Sequence, residues 1–167
     1  MHSREQQESG SWEPSVLRDM LDGRLDSETL RRIQRGPKEA DRFEKIVALE
    51  QARLGWLDRI LVPLQEHLYV VEKGGGERVV RCECGHEFGD YRRNWKLAAL
   101  VYERDTGDGE VFSPDHAFDS TWMILREFYC PGCGAQLEVE AVPPAHPIIF
   151  SALPDIDGFR SAGRGVG

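Results

Sequence analysis

The sequence predicts an α+β protein in which helices come first, an antiparallel sheet follows and an extended arm closes the chain. Three observations carry that expectation. Helical periodicity is confined to residues 14–63, strand-like alternation takes over from His67, and two cysteine pairs, RCECGHEF at 81–88 and FYCPGCGAQ at 128–136, lie within the alternating part.

Residues 1–13 are polar and are expected to be disordered. Pro14 suits the first turn of a helix through VLRDMLDG that ends at Gly23, because its missing N–H is not needed there. A second helix starts at Asp26 or Ser27, spaces Leu30 and Ile33 three residues apart and stops at Gly36-Pro37. The third segment, KEADRFEKIVALEQARLG, repeats apolar residues at Ala40, Phe43, Val47 and Leu54, with Ile46 and Leu49 widening the stripe. That spacing makes an amphipathic helix of about four turns. The whole stretch 14–63 is read as a helical region able to dock onto a partner.

After His67 the period falls to two. LYVVE, the turn KGGGE at 73–77 and RVVRCEC form a hairpin. Further strands are expected in NWKLAALVYER at 94–104, TWMILREFYC at 121–130 and QLEVEAV at 136–142, with DTGDGEVFSPDHAFDS as a long polar connection. Residues 64–142 thus read as a single β domain. The tail 143–167 begins PPAHP and ends SAGRGVG, a composition suited to an extended arm.

Each cysteine pair sits where a strand runs into a tight turn, with Gly85 after Cys84 and Gly134 after Cys133. Such knuckles aim two sulfurs at one point, and two knuckles brought together present four thiolates tetrahedrally at about 2.3 Å from a zinc ion. Cys82, Cys84, Cys130 and Cys133 are therefore the expected ligands of one structural zinc in a zinc-ribbon-like sheet. The CEC spacing is shorter than usual, and His86 is close enough to replace Cys82 or Cys84 in a Cys3His site. A rubredoxin-like iron centre and two disulfides are the competing uses of four cysteines. Four protein ligands leave no open coordination position, so the expected ion is structural, not catalytic.

Composition narrows the function. At 167 residues the chain accommodates one ordinary domain, or a small domain with an arm. Twenty-one basic against twenty-nine acidic residues give a net charge of −8, which opposes binding to phosphate backbones. The first thirty residues carry charges every few positions and no apolar run of signal-peptide length, and no stretch reaches a membrane span. A cytoplasmic location is expected, where paired cysteines serve as metal ligands or redox groups. No phosphate-binding glycine loop opens a helix, so nucleotide binding by this chain alone is not expected. Asp115 and His116, or Asp155 and Asp157, lie in polar segments and read as solvated or capping groups. YRRNWK at 91–96 puts Tyr91 and Trp95 among Arg92, Arg93 and Lys96. Tyr91, Arg92, Trp95 and Lys96 are expected to meet a partner protein, aromatics and arginine being favoured anchors. The alternative is a stand-alone zinc-ribbon module that binds protein or grips single-stranded nucleic acid through Arg92, Arg93 and Lys96.

The succession VRCECGHEF, NWKLAALVYERDT, REFYCPGCG, LEVEAVPP and LPDIDGF resembles the gamma subunit of the acetone carboxylase family, which includes the small subunit of acetophenone carboxylases. The resemblance runs from about Val16 to Phe159, and DMLDGRLDSETL and PLQEHLYVV extend it into the N-terminal half. It implies a small, non-catalytic, zinc-bearing subunit of a heteromeric ligase that uses ATP to join bicarbonate to a ketone, giving a β-keto acid. It further implies two larger partners, related to hydantoinases and oxoprolinases, that carry the ATP and Mn2+ sites. On that resemblance Cys82, Cys84, Cys130 and Cys133 match the family's zinc motif residue by residue.

Overall fold

Local capping sets the N-terminal helices. The computed structural model describes residues 11–104, 113–116 and 119–158. Pro14 occupies the first turn of helix α1, Pro14–Leu21. Asp26 caps α2, Ser27–Arg35, by accepting from the N–H groups of Glu28 and Thr29 at 3.0 and 2.9 Å, which satisfies two otherwise unpaired donors. Lys38 closes its other end by donating to the carbonyls of Ile33 and Gln34. The third helix, α3, spans Arg42–Leu54 and stops at Gly55. These helices fall in one compact unit, whose described residues are 11–57 and 155–158, in which Leu17, Ile33, Leu49 and Ile156 are buried and α1 packs on α3. Residues 1–10 of the segment expected to be disordered lie outside the described residues. Ser11 and Trp12 do not follow that expectation: Lys45 donates to the Ser11 hydroxyl and the Trp12 carbonyl, and the Arg32 guanidinium lies 5.6 Å above the Trp12 ring. No helix among the described residues is long and apolar enough to cross a membrane.

The second unit, residues 58–154, contains two antiparallel sheets. The first is a meander of β1, Arg59–Gln65, β2, Leu68–Glu72, β3, Arg78–Cys82, and β4, Glu87–Asp90, paired in that order. The second runs β5, Leu100–Arg104, β6, Ile124–Tyr129, and β7, Gln136–Val142. The hairpin expected around KGGGE is present, with Gly76 donating to the Lys73 carbonyl at 2.8 Å.

Two strands and one turn depart from the sequence expectation. β1 begins within the stretch read as helical, which was expected to run to Pro63; its Pro63 argues against a strand, but an edge position and register shifts on either side let a residue without an N–H sit there. β4 is only four residues long and is bent by a register shift, so it leaves little alternation to detect. Trp95–Ala98 forms a 3-10 helix, not the start of a strand, because Asn94 caps it by accepting from the Lys96 N–H at 3.2 Å.

One core joins the two sheets. Leu68, Val80, Cys82 and Phe88 come from the first, Phe128, Cys130 and Leu137 from the second or its turn, and Trp95 lies among them. Phe88, Trp95 and Phe128 stack edge to face, with centroids 5.8 and 6.1 Å apart. Each fully buried side chain of this size contributes about 1.5–3 kcal/mol, so this cluster holds both sheet ends at one place. Gln65 adds a polar tie by donating to the Leu137 carbonyl at 2.6 Å. Two residues of the stretch expected to be an arm also lie on this core: Ile148 and Phe150 pack against it, and Asn94 donates to the Ile148 carbonyl.

Candidate metal centre

Each sheet ends in one cysteine knuckle. β3 runs into Cys82, Glu83, Cys84 and Gly85 before the chain returns as β4, and β6 runs into Cys130, Pro131, Gly132, Cys133 and Gly134 before β7. The two turns are closed alike. In the first, Cys82 N–H donates to the His86 carbonyl at 2.8 Å and Gly85 N–H to the Cys82 carbonyl at 2.8 Å. In the second, Cys130 N–H donates to the Ala135 carbonyl at 2.9 Å and Gly134 N–H to the Cys130 carbonyl at 2.8 Å. The first knuckle makes the same pair of bonds with one residue fewer, which is how CEC does the work of CPGC. Gly85 and Gly134 turn the chain at φ 95° and 73°, a region that disfavours side chains.

Pairing in the core brings the knuckles face to face. The four sulfurs lie within 4.8 Å of one another, with Cys82 Sγ 3.8 Å from Cys133 Sγ and Cys84 Sγ 3.7 Å from Cys130 Sγ. Four ligands about 2.3 Å from a tetrahedral ion must stand about 3.8 Å apart, so the set has the spacing such an ion needs. None of the four is in a disulfide. Cys82 and Cys130 are buried in the core and Cys84 and Cys133 are exposed, so each knuckle contributes one anchored and one outer sulfur. Burial pushes the Cys82 thiol well above its ordinary pKa, opposed by the Cys84 backbone N–H and reinforced by the neighbouring thiols. A cation bound beside the sulfur would favour its thiolate form. Gly132 N–H reaches Cys130 Sγ at 3.3 Å, a bond that offsets charge on the sulfur. Four sulfurs in this arrangement can hold Zn2+ or iron.

His86 is not part of the converging set. Its ring packs edge to face on Phe88, centroid to centroid 5.0 Å, and its contribution to the site is the carbonyl that closes the first knuckle.

The YRRNWK stretch does not form the exposed patch expected of it. Trp95 and Lys96 are buried, at 7% and 1% exposure, so neither faces a protein partner or a nucleic acid. Lys96 is drawn inward by neighbours the sequence does not reveal: its Nζ donates to Glu138 at 2.6 Å, to Glu140 at 2.5 Å and to the Ser151 hydroxyl at 2.8 Å, and it lies 5.4 Å over the Phe128 ring. Tyr91 packs partly on the core, whereas Arg92 is exposed and paired with Asp90, which it holds down to a pKa of about 2. Asp155 accepts from Gly158 N–H at 2.9 Å, the capping role expected, and exposed His116 sits 2.8 Å from the Ser113 hydroxyl. Sequence reasoning missed His67, which touches Glu83, the one residue between Cys82 and Cys84, through both backbone and ring. The signal available was that single intervening residue, the only side chain by which the rest of the fold can grip the span.

The unit bearing these knuckles is shared with known proteins. The family model described as "Acetone carboxylase gamma subunit" matches residues 54–163, a span that includes all four cysteines. A protein named acetone carboxylase gamma subunit, from Xanthobacter autotrophicus, is 40% identical over 155 residues, covering 91% of this chain and 92% of its own length. A protein named acetophenone carboxylase beta subunit, from Aromatoleum aromaticum, is 36% identical over 83 residues, covering 47% of this chain and 64% of its own length.

Proposed function

The chain belongs to the acetone carboxylase gamma subunit family, and from that premise we propose that it is the small, zinc-binding, structural subunit of a heteromeric ATP-dependent ketone carboxylase. The assembly joins bicarbonate to a ketone to give a β-keto acid. Its two larger subunits, of hydantoinase and oxoprolinase type, carry ATP and Mn2+, and this chain carries no catalytic residue of its own. Relatives bear the names of acetone and acetophenone carboxylase subunits, which supports a ketone as the substrate class.

One observation carries this reading: four thiols at tetrahedral spacing, gathered from the ends of two different sheets. An ion held by all four has no open position for a substrate or a water nucleophile, so its effect is to lock the sheet ends together. Zinc is the proposed ion, since it suits four thiolates and undergoes no redox change. The assembly is placed in the cytoplasm, where thiols remain reduced and free to ligate. The helical region and the exposed Arg92 are its proposed contacts with the larger subunits.

The test is to produce the chain with and without the two larger subunits and assay ketone-dependent ATP hydrolysis, with acetone and acetophenone as substrates, alongside metal analysis. Activity is expected only in the complex, with about one zinc per small subunit and no visible thiolate-to-iron band. Full activity in the isolated chain would overturn the structural role, and iron in the purified protein would overturn zinc.

A further inference from the structure

We infer that His67 is a positioning residue of the metal centre, clamping the short knuckle from behind through Glu83; the inference rests on the reading of the four thiols as a metal site. His67 is the second residue of the two-residue turn joining β1 to β2, closed by the pair Gln65 and Leu68. Its φ is 65°, a left-handed conformation that strains an ordinary residue and glycine little. A histidine there keeps a side chain where the turn alone favours none. That side chain has a use.

The ladder between β2 and β3 ends at Leu68 and Cys82. One step further, Glu83 N–H donates to the His67 carbonyl at 2.9 Å, and His67 Nδ1 lies 2.9 Å from Glu83 Oε1. Nδ1 is buried and makes no aligned hydrogen bond, so the side-chain contact is a close approach, and the directional bond is the backbone one. One residue thus grips Glu83 twice. Cys82, before it, is anchored in the core, but Cys84, after it, is exposed. Whatever steadies Glu83 therefore steadies Cys84.

The second knuckle obtains its stiffness otherwise. It has Pro131, whose ring fixes φ, and the Gly132 N–H on Cys130 Sγ. The first knuckle has no proline, and its lone intervening residue is the only one within it that can be held. On these grounds Cys84 is the ligand the clamp retains, and loosening the clamp lets that sulfur leave first.

The experiment compares the full-length wild type with His67→Gly, Glu83→Ala and the double variant. His67→Gly keeps the carbonyl and relieves the strained φ, so the turn itself does not suffer. Two quantities are read at neutral pH under reducing conditions: the rate of zinc release to an excess of chromophoric chelator, and the thiolate and ligand-field bands of the Co2+-substituted protein. Each single variant is expected to release zinc roughly ten-fold or more faster, the effect usual for residues that orient metal ligands, and to show altered Co2+ bands. The double variant is expected to be no faster than the faster single one. Wild-type release rates and unchanged bands in both single variants would overturn the clamp, as would independent, multiplying effects in the double variant. A wild type that retains no metal would overturn the metal site, and the clamp with it.

Discussion

Glu127 shows how a charged side chain is tolerated in the middle of the second sheet. Arg104 on the neighbouring strand donates to it at 2.9 and 3.0 Å, and the Tyr129 hydroxyl donates at 2.6 Å. The Arg104 guanidinium holds its carboxyl below the ordinary value, burial pulls the other way, and the tyrosine bond adds to the lowering. With the folded value below the unfolded one, the stabilisation is complete above the unfolded pKa of about 4.3 and is lost as pH falls from there through the folded value. Glu127→Gln is expected to cost about 1–3 kcal/mol at pH 7 and to narrow its deficit against wild type as the pH is lowered from 5 towards 3. Urea denaturation followed by tryptophan fluorescence across that range checks this; acid release of metal affects both proteins, so their difference is the quantity to read. A deficit independent of pH would mean that Glu127 acts by shape alone. At this scale the sequence was informative about cysteines, because no other side chain is used as they are. It was uninformative about Lys96, whose burial depends on Glu138, Glu140 and Ser151, more than forty residues away along the chain.

The two knuckles are joined so closely that one position between them admits no side chain. A Cβ at Gly132 would stand 2.8 Å from His86 Cβ and 3.2 Å from Cys84 Sγ, and the first of these is the root of a side chain, which cannot swing away. Gly132→Ala is expected to push the knuckles apart, costing about 1–3 kcal/mol in stability and roughly ten-fold or more in zinc affinity. Chemical denaturation and competition with a chelator measure the two effects; wild-type values in both would show that the turns have more room than this contact implies. Elements with local signals were legible: Pro14 and Asp26 mark helix starts because capping involves residues only a few positions apart. β1 was not, since Pro63 is acceptable only at a sheet edge, and edge position is a property of pairing. The run from Asn94 was misread for a related reason: a hydrogen bond from one side chain to a backbone N–H two residues on outweighed the strand preference of Trp95.

At the level of the molecule, the ion is expected to carry much of the stability of the unit 58–154. Structural zinc in small domains supplies on the order of 10–16 kcal/mol of apparent binding energy. An entire domain is stable by only about 5–15 kcal/mol. Removing metal with a strong chelator under reducing conditions is expected to abolish the strand signal in far-ultraviolet circular dichroism, and adding Zn2+ to restore it. A strand spectrum indifferent to chelation would show that the aromatic core suffices without the ion. By itself the sequence determined the α+β class, the placing of helices ahead of strands, the four cysteines as the candidate ligand set and, through long stretches in a fixed order, the family. Tertiary structure alone decided that the two knuckles meet at tetrahedral spacing, that Trp95 and Lys96 turn inward and that His67 grips Glu83. The reason is physical: caps and periodicity act over a few residues along the chain, whereas each of these contacts joins residues that only sheet pairing and a shared core bring together.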